Sequence, residues 1–246
     1  AEGQLGDGTT RSRLAAQPPA GLATGVYAVA AGGEHTCALA GAGAARSVAC
    51  WGGGQITPTV VSGLSGPIQA IAVGVYHACA LTGEPATAGG VKCWGGNYRG
   101  QLGDGTTTNS DVPVDVLGLT GGVKAIAAGQ NHTCALTMGG TVKCWGADDS
   151  GQLGGFWAAS VAAPHDVAGL GAPIRAITAG LGHTCALTEG GAVKCWGANE
   201  SGQLGNGLTT MSYEPVDPIG LTGDVRAIAA GRAHTCALAG SGAANA

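Results

Sequence analysis

Apolar and polar positions alternate along this chain in short runs, and the runs return in a fixed order. The clearest copy is residues 123–146, VKAIAAGQNHTCALTMGGTVKCWG. Its segments are rich in Val, Ile, Ala and Thr and are bounded by Gly, which predicts short strands joined by tight turns. One unit contributes four such strands: VKAIAAG, TCALT, TVKCWG and a PVDV segment at residues 113–116. Helical spacing of apolar residues is absent.

His35, His77, His132, His183 and His234 mark the units, 42, 55, 51 and 51 residues apart. A period of that size is one supersecondary unit, and repeated four-stranded units bury their faces against their neighbours. The expected fold is therefore all-β, a β-propeller of four-stranded antiparallel blades with about five repeat units visible. Residues 1–246 are read as a single propeller domain with units beginning near 26, 68, 123, 174 and 225. Residues 1–25 read as the back half of a blade, because EGQLGDGTT at 2–10 matches RGQLGDGTT at 99–107, and the Pro-containing segment 17–22 is expected to be its strand. The last unit has HTCAL but no VKCWG, so the last blade is incomplete. With a start at Ala1 rather than Met, the expectation is a processed or excised segment of a longer chain.

Cys134 and Cys144 lie symmetrically about Gly139. A hairpin turning on Met138, Gly139 and Gly140 sets them opposite each other, within disulfide reach. Cys185 and Cys195 repeat the arrangement about Gly190, whereas Cys37 with Cys50 and Cys79 with Cys93 span longer Gly- and Ala-rich tips. The spacings of 10, 10, 13 and 14 differ from the two-to-four-residue spacing usual at zinc sites, and no metal is expected. Four disulfides are the expectation, buried free thiols the remaining reading, and Cys236 is left unpaired because its partner would lie in the absent strand.

Composition narrows the class. Gly reaches 48 of 246 residues without a Gly-X-Y period, and charged residues make up 11% against 45% apolar, so the chain is neither collagenous nor disordered. The net charge is −4 and the 11 Lys and Arg are scattered, so no nucleic-acid footprint is expected. No apolar run is long enough for a membrane helix, no signal peptide is recognised, and membrane insertion is not expected. Paired cysteines point to an oxidising location: secreted, periplasmic or cell surface.

AIAAGxxHTCAL followed by VKCWGxNxxGQLGDGTT resembles the regulator-of-chromosome-condensation repeats in a bacterial, cysteine-bearing style, over essentially the whole chain. The resemblance implies a β-propeller, usually of seven blades. The family's founding activity, guanine-nucleotide exchange on a small nuclear GTPase with chromatin attachment, fits poorly with an acidic chain and paired cysteines. A second implied function is inhibition of a secreted enzyme, as in the β-lactamase-inhibitory propellers, although those lack repeated Cys pairs.

The repeated residues read as scaffold. The five histidines are expected to bond a neighbouring blade's backbone, Trp51, Trp94, Trp145 and Trp196 to pack between blades, and Asp7, Asp104 and Asn206 to form turns rather than hold calcium. No catalytic residue and no cofactor are expected, since no acid/base pair or nucleophile motif recurs.

Function should lie where the repeat varies. In such a blade the turns after strands one and three emerge on one face. The variable tips there give the expected binding residues Glu34, Tyr76, Tyr98, Arg99, Gln130, Asn131, Asp148, Asp149, Glu200 and Arg232. The third unit replaces GDGTT with GFWAAS and adds Phe156 and Trp157, a candidate aromatic anchor or local packing under a shorter loop. The expected function is a non-catalytic interaction module that binds a protein partner through this face. Carbohydrate stacking on Tyr and Trp, or an architectural role in an extracellular assembly, are the alternatives.

Overall fold

The structure, a computed structural model, describes residues 2–41, 46–84, 89–155, 158–221 and 223–240. Among the described residues it contains strands and turns and no helix, hence no helix long and apolar enough to cross a membrane. Blade one holds β1 (Val26–Ala31), β2 (His35–Ala40), β3 (Ser47–Gly52) and β4 (Gln55–Val60). Blade two holds β5 (Ile68–Val73), β6 (His77–Thr82), β7 (Gly90–Gly95) and β8 (Ser110–Asp115). Blade three holds β9 (Val123–Ala128), β10 (His132–Thr137), β11 (Val142–Ala147) and β12 (Ser160–Asp166). Blade four holds β13 (Ile174–Ala179), β14 (His183–Thr188), β15 (Val193–Gly197) and β16 (Ser212–Val216). A two-stranded sheet of β17 (Val225–Ala230) and β18 (Thr235–Ala239) follows.

Each full blade is an antiparallel meander with strands in sequence order. The two central strands are covered on both faces by neighbouring blades, which is why HTCAL and VKCWG read as continuous apolar runs rather than alternating ones. The outer strand is open to solvent and keeps polar residues, as in the exposed β4. The buried side chains form one cluster at each junction between consecutive blades. Cys134 faces Cys144 in the β10–β11 register, as their symmetry about Gly139 predicts. The bonds Cys37–Cys50, Cys79–Cys93, Cys134–Cys144 and Cys185–Cys195 are all formed, each with Cα atoms 4.1 Å apart. Cys236 is free and exposed on β18.

The innermost strands converge on a central channel, and glycine makes the approach close enough. A Cβ at Gly129 would stand 2.5 Å from the Gly180 carbonyl oxygen, and one at Gly180 equally close to that of Gly231. No larger residue fits there without pushing the blades apart.

Two sequence expectations need correction. Segment 17–22 forms no strand: Pro18 and Pro19 lack N–H donors, and no described strand of its own blade lies beside it. The histidines of blades two to four bond a side chain of the next blade, not its backbone. His77 Nε2 lies 2.8 Å from Thr133 Oγ1, His132 Nε2 3.0 Å from Thr184 Oγ1, and His183 Nε2 2.9 Å from Thr235 Oγ1.

Candidate functional site

The scaffold beneath the variable tips is a clasp repeated between blades. Thr133 Oγ1 donates its single hydrogen to the Gln101 carbonyl, 2.9 Å away, so the His77 contact must run from Nε2–H to Thr133. Trp145 Nε1 donates to the same carbonyl at 2.9 Å. One blade thus supplies a His and a main-chain acceptor, and the next supplies a Thr and a Trp. Thr184 and Trp196 grip Gln152 in the same way, and Thr36 and Trp51 grip Gln4. The N-terminal loop therefore sits on blade one as 99–107 sits on blade three.

The clasp fixes the imidazoles as neutral Nε2–H tautomers. Burial depresses their pKa values, to about 3 at His77 and His132 and about 4 at His183. Each leaves Nδ1 without a hydrogen-bond partner, pressed against a channel glycine where no metal or water fits. Among the described residues no group of three or more His, Cys, Asp or Glu is arranged to hold a metal.

On this frame both sets of tips do come out on one face. The amide of Gly96 bonds the Tyr76 carbonyl at 2.7 Å, and that of Ala147 bonds the Asn131 carbonyl at 2.8 Å, tying the loop after each Trp-Gly to the turn before each His. The inner turns also join around the channel mouth: Gln130 N–H donates to the Leu181 carbonyl, and Leu181 N–H to that of Arg232. They ring a funnel of about 530 Å³, with Glu34, Tyr76, Gln130 and Arg232 on its wall. Farther out, Tyr98 is 69% exposed, Glu200 is exposed, and Arg99 reaches across to the next blade, 3.1 Å from Asp149.

Tyr76 and Tyr98 stand beside one small residue. A Cβ on Gly96 would lie 3.1 Å from Tyr76 Cβ and 3.6 Å from the Tyr98 ring. Half-exposed Tyr76 and exposed Tyr98 thus flank Gly96 on either side at blade two. Asn131 is less free than its position in the sequence implies, because Gln101 Nε2 donates to its Oδ1 at 3.2 Å.

Asp148 is not part of the surface. It is 1% exposed, and its Oδ1 accepts the Leu153 amide at 2.9 Å. Its counterparts Asn97 and Asn199 are also buried and knot the same loop, each donating its amide to several acceptors. A carboxylate cannot donate, so Asp148 Oδ2 is left without a partner, and burial raises the pKa to about 6. The repeated Asn at this place was the available sign of an anchor rather than a tip. Phe156 and Trp157 lie outside the described residues.

Two residues that the expected face omits are Ala78 and Trp94. Blade two reads HAC where the others read HTC, and blade one has no Gly-Gln-Leu-Gly after its Trp51-Gly52; the two departures meet at one junction. Their joint occurrence was visible in the sequence.

Comparison with known proteins agrees with this architecture. Two family models, both described as the regulator of chromosome condensation (RCC1) repeat, match residues 88–136 with 191–238 and residues 123–152 with 174–203, together more than half the chain. The human E3 ubiquitin-protein ligase HERC2 is 39% identical over 150 residues, 60% of this chain and 3% of HERC2. The ultraviolet-B receptor UVR8 of Arabidopsis thaliana is 34% identical over 156 residues, 62% of this chain and 36% of the receptor. Yeast RCC1 (Prp20), solved bound to Kap60, superposes with a TM-score of 0.73 at 27% identity, covering 87% of this chain and 54% of that one. The chain thus spans about half of that solved relative and a smaller share of the two curated ones. Its recurring hairpins, its four-stranded blades and these likenesses make it a member of the regulator of chromosome condensation (RCC1) repeat family.

Proposed function

We propose that this propeller is a non-catalytic interaction module of an oxidising, extracellular or cell-surface setting, and that it binds a protein partner through the face of variable tips. The observation that carries the reading is the Tyr76–Tyr98 surface around Gly96, at the rim of a funnel lined by Glu34 and Arg232. Tyr and Arg supply most of the binding energy at protein interfaces, because a large rigid side chain buries much area for little lost entropy. The remaining positions of the repeat are committed to clasps and disulfides, which leaves the tips as the freely varying chemistry. Four disulfides in a chain of this size support an oxidising compartment.

The ligase activity in the name of HERC2 is not carried over, since the likeness covers 3% of that protein. Yeast RCC1, solved with Kap60, is an example of a propeller of this family engaged with a protein. In a quantitative binding assay with a captured partner, Tyr98→Ala is expected to weaken binding about tenfold or more while leaving the unfolding midpoint unchanged. Unchanged affinity for both Tyr76→Ala and Tyr98→Ala would remove this face from the account. Specific, Tyr98-dependent binding on a glycan array would replace the protein partner with a sugar.

A further inference from the structure

At three places a Gly-Gln-Leu-Gly loop is gripped through its Gln carbonyl by a Trp: the loops of Gln4, Gln101 and Gln152. Where the loop is wedged between two blades, its leucine is fully buried. Leu102 packs among Cys79, Cys93, Ala135 and Trp145, and Leu153 packs among Cys134, Cys144, Ala186 and Trp196.

The junction of blades one and two has the same walls and lacks the loop. Blade one turns from β3 to β4 through Gly53 and Gly54 alone. Cys37, Ala80 and Trp94 provide the matching surfaces, but the cluster's leucines, Leu39 and Leu64, match Leu81 and Leu119 of the next junction and none takes the place of Leu102, and Cys50 is half-buried where its counterparts are buried. A groove of about 610 Å³ remains, lined by Cys50, Trp51, Val61, Ala78 and Trp94 among others. Trp94 is 9% exposed, and among the described residues its indole N–H has no acceptor, whereas Trp51, Trp145 and Trp196 each donate to a Gln carbonyl. The Trp94 N–H is not sealed off but opens into the groove, at the place where the other three junction tryptophans meet a main-chain acceptor.

We infer that this groove is a binding site for an extended Gly-Gln-Leu-Gly-like segment of a partner protein. The segment's main-chain carbonyl accepts from Trp94 Nε1, and its leucine fills the apolar space between the Cys37–Cys50 bond and the Trp94 ring. The flanking glycines are required because the resident loops run against neighbouring backbone: a Cβ on Gly100 would stand 2.5 Å from Ala162 Cα, and one on Gly151 2.8 Å from Tyr213 Cα. The size suits an occupant of a few residues. Ala78 lowers the affinity relative to the internal copies, because the Thr that elsewhere donates to the same carbonyl is missing, so the occupant is exchangeable where the internal loops are permanent. Glu34 and Tyr76 border both this groove and the face of variable tips, whereas Tyr98 belongs to that face and does not line the groove.

The test is titration of a synthetic nonapeptide with the sequence of residues 99–107 into the folded, oxidised protein, followed through indole N–H signals in two-dimensional NMR. Saturable binding is expected, with the largest shift on the indole signal that Trp94→Phe deletes. Trp94→Phe should weaken binding about fivefold, and Ala78→Thr should strengthen it by a similar factor. Replacing the peptide's leucine by aspartate, which leaves the protein untouched, should abolish binding. No binding at about 1 mM peptide, or binding indifferent to Trp94→Phe, Ala78→Thr and the leucine, would overturn the inference. Concentration-dependent dimerisation lost in Trp94→Phe would make the occupant a second copy of this chain and overturn the assignment to a partner. Tyr98→Ala should leave peptide binding unchanged, so that failure of the groove and failure of the tip face are separately visible.

Discussion

At the scale of single residues, the protein is held by neutral imidazoles, and this sets its response to acid. His77, His132 and His183 have folded pKa values of about 3, 3 and 4, below the 6.5 they regain on unfolding. The unfolded chain therefore binds more protons below pH 6.5, and stability falls as pH drops from there towards 3 to 4. Each histidine contributes about 1.4 kcal/mol per pH unit within that window. Asp148 opposes them: its pKa is raised to about 6 from 3.8, so its contribution is present below pH 3.8 and is lost as pH rises through 6. Three groups outweigh one, and the urea midpoint is expected to fall steadily between pH 6.5 and 4; a flat profile would contradict the neutral clasp. Asp148→Asn removes a buried charge and restores the residue that blades two and four use. It should raise stability at pH 7 by about 1 to 2 kcal/mol in denaturant titration, and the gain should shrink towards pH 4.

At the scale of the element, the unit is a hairpin closed by a disulfide. Cross-linking a loop of this length stabilises by about 2 to 4 kcal/mol, chiefly through the unfolded chain. Replacing Cys134 and Cys144 together by Ala should lower the urea midpoint accordingly, and alkylation of the native protein without reductant should label Cys236 alone. Labelling of further cysteines would show that the pairs are open. The hairpins were legible in the sequence because cysteines equidistant from Gly139 fix the register, and a slip of one residue would turn every side chain to the other face. The clasp was not legible, because its acceptor is the main-chain carbonyl of Gln101, and a carbonyl has no letter of its own. Asp148 was misread because it follows Trp-Gly, as tip residues do, while its role is set by the Leu153 amide behind it. Tyr76, Tyr98 and Arg232 were legible as exposed tips because the repeat leaves them free. That Tyr76 and Tyr98 both stand beside Gly96 depends on two loops distant in sequence.

At the scale of the whole molecule, four disulfide-bonded blades and a fifth pair of strands carry a ring of turns around one funnel. Every blade spends its conserved-looking residues within this chain on holding its neighbour, so specificity resides in a surface assembled from different blades. The opposite rim carries the tip of the β10–β11 hairpin, where Met138 is 57% exposed. That rim is the natural control. The most direct test places a photo-reactive benzoylphenylalanine at position 98, 232 or 138 and irradiates each protein in an extract of surface and secreted proteins from the source organism. The account predicts one discrete protein adduct, common to positions 98 and 232, and none at 138. An adduct formed from position 138 alone, or with equal yield from both rims, would contradict it.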